Sequence, residues 1–548
     1  MSIFFLNIIF TNLFYLVLGK FLITKFFNFH FKTPIDCIIM GVIGSSFAAL
    51  LINFFLPLNT WVNSIFFIFI IIIFFIFKLY LKKNELLFLL ISSILVFILI
   101  IFDNEYRPDA GLYHIPYIQI LNENKIIIGL SNLHSRFGHI SILQYLSAFN
   151  FDFFRSKNGI LIPSGSLVIF LYIYFFNDIL KLIKKKEFFS LGKLFSLVVI
   201  IYMSYKINRY SEFGNDAPAQ LFLLFLISKF IYFKDNSVQN IYLIYLYSTF
   251  AFLNKIFFIF VFLLPLYMFL KNSKNLRYLL LSFPTVLLFI WFIKNIFVSG
   301  CIIFPMEKTC FDSLKWTNIE MVKKAKIEAE AWSKAWPQNT DKKLTMVEFS
   351  KNFNWFDAWA SVHLKYIIKV LLPFLIVLLS LYLFLNINNK IKKNVSLIKI
   401  KNEKFIILSI ISILGVVSFF SMYPIYRYGY SYIILFVFII YTIILNKFDT
   451  VKFIHVSKII FFVCIVIFIS KQSLRIVKNF DKRNFIPNHI FIDTKKFDNK
   501  YQKVILSKDF NVYYRNSECF YALAPCTNNN HNIKNIKTYR KLNYNFLY

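Results

Sequence analysis

Acidic side chains are scarce in this chain: 27 Asp and Glu stand against 61 Lys and Arg, and charged residues make up 16% of 548 positions. With 58% hydrophobic residues, so little charge excludes a soluble multi-domain protein, which needs polar side chains to cover its surface. Glycine is sparse too, at 13 residues, and none of it forms a phosphate-cradling loop. There is no internal repeat, which removes solenoids and propellers. Only six cysteines occur. Cys37 and Cys464 lie in apolar runs and read as small core residues, whereas Cys301 with Cys310 and Cys519 with Cys526 form two close pairs. Neither pair has C-x2-C spacing, so local disulfides in an oxidising compartment suit them better than zinc.

What is present is apolar and aromatic, with 72 Phe and a mean hydropathy of +0.63, and it reads as an integral membrane protein. At about 20 apolar residues per crossing, candidate spans fall near 2–22, 36–57, 61–80, 85–102, 159–177, 190–205, 218–233, 240–254, 256–270, 277–297, 366–387, 405–422, 429–446 and 455–471, about 14 in all. The pair 240–254 and 256–270 runs short and reads as broken or re-entrant helix. The opening MSIFFLNIIFTNLFYLVLGK lacks a charged n-region and a cleavage site, so it reads as a retained first span.

A net charge of +34 would in a soluble protein suggest nucleic acid. Here most lysines fall in connections between apolar runs, and Lys20 to Lys32, Lys78 to Lys83, Lys181 to Lys186 and Lys390 to Lys404 fall in every second one. Cytoplasmic retention of positive charge explains them, and no nucleic acid partner is expected. The alternate connections, 103–158, 206–217, 298–365, 423–428 and the tail from about 472, then face the other side. They include both cysteine pairs and most of the chain's clustered acid.

The cluster runs from Asp103 to His139 and holds Asp103, Glu105, Arg107, Asp109, Glu123, Arg136 and three of the eight histidines. Charge this dense sits outside the hydrocarbon or lines a wet cavity. Pro108, then Asp109, Tyr113, Pro116 or Tyr117, and Ile120 at helical spacing predict a short amphipathic helix on the membrane surface. Asp109 at its start is either a general base, with Tyr113 and His114 beside it, or a plain helix cap. In NLHSRFGH, Arg136 suits a phosphate held bidentately, with Asn132, His134 and His139 orienting it, binding a divalent ion or serving only structure. Glu212 and Asp216 in RYSEFGNDAP offer a second carboxylate, or caps ahead of Pro218. Lys255, Lys294 and Arg427 are cations at headgroup depth, fit for a lipid phosphate or for simple anchoring. Farther on, NIEMVKKAKIEAEAWSKAW predicts a helix at the membrane interface, and KVILSKDFNVYYRN followed by CFYALAPC predicts strands in a small disulfide-stapled unit.

Away from the cytoplasm nucleotide-activated donors are scarce, so group transfer there draws on a donor carried by the membrane. A polyprenyl-linked phosphate sugar meets that need. At these residues the chain resembles the GT-C superfamily of integral membrane glycosyltransferases, in which D-x-x-x-Y in an early outward loop precedes a surface helix; DAGLY from Asp109 matches it. It resembles more closely a group of uncharacterised bacterial membrane proteins sharing DxxLYH, GLxNLHxR, a later D-x-P, SGxxxFP and a C-terminal Cys–Cys unit, here DAGLYH, GLSNLHSR, DAP at Asp216, SGCIIFP and CFYALAPC.

The resemblance covers roughly residues 85 to 530. It implies an all-α polytopic fold with surface helices in outward loops and some β in a small C-terminal unit. It divides the chain into N-terminal helices (1–84), a GT-C-like catalytic domain (85–471) and an extracytoplasmic unit (472–548). It implies an inverting glycosyltransferase of the bacterial cytoplasmic (inner) membrane, moving a sugar from a polyprenyl-phosphate donor to an envelope glycan or lipid acceptor, with Asp109 as base and Glu212 or Asp216 assisting. A divalent cation, Mg or Mn, is compatible with paired carboxylates. The rivals are a transporter or flippase of envelope lipids, which predicts mid-span charges and pseudo-symmetric halves, a polysaccharide polymerase or ligase using a pyrophosphate-linked glycan, and a membrane scaffold.

Overall fold

The computed structural model describes residues 2–29, 33–102, 108–150, 157–185, 190–206, 214–233, 235–272, 282–341, 343–387, 403–445, 450–480, 501–507 and 510–548. The chain is mostly helical, with a small β region at its C-terminal end. Each of the fourteen apolar stretches carries a helix: α1 (Ser2–Phe21), α2 (Pro34–Asn53), α3 (Thr60–Ile76), α4 (Lys83–Ile100), α7 (Ile162–Lys185), α8 (Leu191–Lys206), α9 (Asp216–Tyr232), α10 (Val238–Asn254), α11 (Leu263–Lys271), α12 (Phe283–Ser299), α14 (Lys365–Ile387), α15 (Glu403–Met422), α16 (Tyr426–Leu445) and α17 (Thr450–Phe480). Eight helices among the described residues are long and apolar enough to cross a membrane. Helices outside those stretches include α5 (Ile115–Glu123), α6 (Ile142–Phe149) and α13 (Ile319–Ser333).

Burial separates the central helices from the peripheral ones. In α8, α9 and α10 nearly every apolar side chain is buried, so these three form the middle of the bundle. On α3, α14, α15 and α17, by contrast, Phe75, Leu379, Val417 and Phe462 are each more than half exposed. Contiguous apolar faces of that extent are what hydrocarbon covers, and water would not tolerate them. The most intimate helix contact is α1 on α2. A Cβ built on Gly19 would lie 1.6 Å from the Cys37 carbonyl oxygen, and one on Gly41 would lie 1.9 Å from that of Tyr15. Small residues permit this backbone approach, which supplies dispersion contact where lipid offers no hydrophobic drive.

The connections sort into two ends of the bundle. At one, Lys20 pairs with Glu85 at 2.9 Å, Lys193 with Asp178 at 2.7 Å, Lys229 with Asp36 at 2.5 Å and Lys271 with Glu403 at 2.9 Å. α9 runs from there to the other end, roughly 25 Å away at 1.5 Å per residue. The short helices 240–254 and 256–270 are a hairpin. α10 stops at Lys255, whose φ of −153° breaks the helix, and the chain returns through a 3-10 segment and α11, so that Tyr245 meets Phe262 and Asn272 donates to the Asn236 carbonyl.

The C-terminal region carries a hairpin of β1 (Gln502–Ser507) and β2 (Phe510–Tyr514), joined by the short parallel β3 (Cys526–Thr527), and a second hairpin of β4 (Thr538–Lys541) and β5 (Tyr544–Leu547). Cys519 is bonded to Cys526, and Cys301 to Cys310. Only Cys519, Ala522 and Cys526 form a small core within this region, while Phe510, Val512, Phe520 and Leu547 belong to the same buried cluster as the bundle. β5 bridges Ile128, with the Leu547 N–H on the Ile128 carbonyl at 2.9 Å. The expected surface helix differs. α5 is buried from Ile115 to Asn122 and packs against α6, with the Tyr117 and Tyr145 hydroxyls 3.4 Å apart, rather than lying on a membrane surface.

Candidate functional site

The end of the bundle opposite the Lys20 and Lys229 pairs gathers four chain segments. The first starts at Pro108, where a missing N–H is harmless in an opening helical turn. Eight residues on, Pro116 has no N–H to give the Leu112 carbonyl, and the turn before it widens: residues 110–114 are π-helical, and the Ile115 N–H reaches back to Ala110. Asp109 makes no side-chain capping bond at this turn, contrary to the capping alternative. Its Oδ2 instead accepts a hydrogen bond from Arg427 Nη2 at 3.0 Å.

Arg427 lies in the first turn of α16 and bridges to the second segment, with its Nε 3.6 Å from Asp216 Oδ2 at the start of α9. Asp216 does not cap its helix either; its other oxygen takes Lys255 Nζ at 2.5 Å. Lys255, at the tip of the α10 hairpin, also stands 4.0 Å from the ring centre of Tyr428, and the Arg427 guanidinium is 5.2 Å from the same ring. Two carboxylates and two cations thus form a chain, Asp109–Arg427–Asp216–Lys255, of zero net charge. Side-chain exposure is 35% for Asp109, 43% for Arg427, 36% for Asp216 and 15% for Lys255, so the first three reach solvent. An ion pair this exposed is worth only about 0–1 kcal/mol.

Gln220 holds the two helices in register. One turn after Asp216, its Nε2 donates to the Tyr428 carbonyl at 2.5 Å and its Oε1 accepts the Ser431 N–H at 3.1 Å. Tyr430 donates to the Ala217 carbonyl at 3.1 Å. Sequence reasoning passed over Gln220, although a lone amide four residues after Asp216 in an apolar helix was the available signal.

The remaining candidates sort by position. Tyr113 supports Asp109 by a hydrogen bond and carries the Arg136 guanidinium 5.8 Å above its ring. His114 lies between the carboxylates, against Gly214 just ahead of α9. His134 Nδ1 accepts the Arg136 N–H at 3.1 Å, shaping the turn that presents Arg136. His139 packs edge-on against Phe304. Both amide hydrogens of Asn132 are taken, by the Trp316 and Leu547 carbonyls at 2.9 and 3.0 Å, so Asn132 ties the loop to α13's approach and to β5. Lys294 is fully buried beside Trp291, 3.9 Å from its ring centre, and is not a headgroup-level cation. Glu212 lies outside the described residues, as do Asp103, Glu105 and Arg107.

Burial raises the Asp109 carboxyl, but Arg427, His114 and the hydrogen bonds from Arg427 and Tyr113 together outweigh it, leaving its pKa below the ordinary value. Burial lowers His114 to about 4 against the pull of both carboxylates, and His134 likewise to about 4. Both imidazoles are therefore neutral at pH 7 and are not phosphate-binding cations. Among the described residues no three His, Cys, Asp or Glu side chains stand close enough to hold a metal ion, and Arg427 bridges the two carboxylates.

No curated protein and no solved structure matches the chain. Its family's profile matches residues 1–434, a span that takes in Asp109, Asp216, Lys255 and Arg427. The chain belongs to the family described as Domain of unknown function (DUF8201).

Proposed function

We propose that the chain is a GT-C-like glycosyltransferase that moves a sugar from a polyprenyl-phosphate donor to an envelope glycan or lipid. In this reading it crosses the bacterial cytoplasmic membrane fourteen times and works on the outer side. The observation that carries it is the meeting of Asp109, Asp216, Lys255 and Arg427, from four separated segments, at one end of an apolar bundle. Such an arrangement offers a base and phosphate-binding cations side by side, accessible from one end.

The step balances as follows. The acceptor oxygen attacks the anomeric carbon and its proton passes to Asp109, while the bond from that carbon to the phosphate oxygen breaks and its electron pair leaves with the lipid phosphate. Arg427 and Lys255 stabilise the departing anion, and preorganised cations cost no rearrangement as charge develops. Asp216 holds both cations in place. No step passes through a metal.

Membranes containing the protein, supplied with labelled polyprenyl monophosphate sugars, are expected to transfer the label to an envelope acceptor. Transfer from a pyrophosphate-linked glycan alone would favour a polymerase or ligase. Lipid translocation with no transfer would sink the proposal.

A further inference from the structure

Resting on that reading, we propose that Asp109 is masked in the free protein and is released when the donor's phosphate takes Arg427 from it, so the lipid phosphate must bind before the acceptor is deprotonated. Among the described residues Arg427 is the only cation within ion-pair distance of Asp109, at 3.0 Å. Asp216 has two, Lys255 at 2.5 Å and Arg427 at 3.6 Å. The donor's phosphodiester anion, arriving at the exposed guanidinium, offers its two non-bridging oxygens to the planar fork, where Asp109 engages a single nitrogen. Arg427 can therefore turn to the phosphate while Asp216 remains neutralised by Lys255. Asp109 alone is left without a cation, with Tyr113 and His114 still beside it.

A carboxylate paired with a guanidinium is a poor proton acceptor, because protonation would break the pair. Its release supplies the base only when a leaving group is in place. Water reaching the site without a donor meets no free base. The ligand chemistry is a lipid-borne phosphate anion, a diester in the donor and the prenyl monoester once the sugar has left.

The test is binding, separate from turnover. A short-chain prenyl monophosphate is titrated into the full-length purified protein in detergent, with inorganic phosphate in a parallel arm to separate a lipid headgroup from free phosphate. Asp109→Asn removes the competitor, and the prenyl phosphate should bind about 3–10-fold tighter than to wild type. Arg427→Gln should bind it at least about 10-fold more weakly. Glu123→Gln, which removes a charge in the same loop without touching Arg427, should change binding less than about twofold. Equal or weaker binding by Asp109→Asn, or wild-type binding by Arg427→Gln, overturns the exchange. If Asp109→Asn does not fold, carbodiimide labelling of Asp109 in wild type replaces it: labelling should rise with bound phosphate, and an unchanged or lower yield overturns the proposal. Inorganic phosphate binding as tightly as the prenyl ester would overturn the lipid source. Tighter binding by Asp109→Asn in a protein that transfers no sugar would leave the exchange standing and remove the transferase reading.

Discussion

Gln220 shows how much a single side chain does at this site. It touches neither Asp109 nor any cation's charged group, yet it satisfies a carbonyl and an N–H in the first turn of α16, the turn that carries Arg427. Gln220→Leu removes these links between α9 and α16 and takes the hydrogen-bond acceptor from the buried Ser431 hydroxyl, which costs about 1–3 kcal/mol. The melting temperature in detergent should fall accordingly, and sugar transfer should fall further than stability alone explains. Transfer unchanged in a destabilised variant would deny Gln220 its positioning role. His114 and His134 make a second prediction. Both titrate near 4 when folded and near 6.5 when unfolded, so the unfolded chain takes up protons first as pH falls. Stability is therefore full above about pH 6.5 and is lost between 6.5 and 4, by on the order of 1–3 kcal/mol for each histidine. Thermal unfolding at pH 7.5 and 4.5 measures it, and His114→Gln should flatten the dependence. An acid sensitivity identical to wild type would refute the assignment. Asp109, Asp216, Lys255 and Arg427 were all legible as chemistry-bearing residues because each is a charge beside an apolar run. Their pairing was not, since Asp109 and Arg427 are 318 positions apart and only the bundle brings them together.

Among the elements, the π-helical turn at 110–114 is the one tied most closely to the site. Hydrophobic spacing placed a helix there, but the widening comes from Pro116, whose missing donor changes the hydrogen-bond pattern without altering the apolar period. Pro116→Ala restores that donor and lets the turn regularise, swinging Asp109 away from Arg427. The variant should be at least as stable as wild type and should transfer sugar about tenfold more slowly. Full activity would mean the turn does not set the geometry. The α1–α2 contact sets a different kind of limit. Gly41→Val drives a side chain into the Tyr15 backbone, which cannot yield like a flexible side chain, and should destabilise by about 1–3 kcal/mol or more. The fate of α5 was hidden for another reason: its sequence suits a membrane surface as well as a protein one, and only the fold decides between them, through α6 and through the Leu58 carbonyl that takes the Asn122 amide at 2.7 Å.

At the scale of the whole molecule, the apolar runs laid out where the helices lie. The C-terminal region was readable as strands with a cysteine pair, but not as a cover for the loop that carries Asp109. That cover is direct: the Phe520 N–H bonds the Gly111 carbonyl at 3.1 Å, and a Cβ on Gly111 would meet Phe520 and Glu518 at 2.6 Å. The account rests on one claim, that the Asp109 carboxylate takes the acceptor's proton at this assembled end. Turnover of a labelled polyprenyl-phosphate sugar by the purified wild-type chain, set against Asp109→Asn with a matching melting temperature, tests it most directly. Loss of at least about 100-fold is the result the account predicts, as expected for removal of a general base; turnover within twofold of wild type would contradict it.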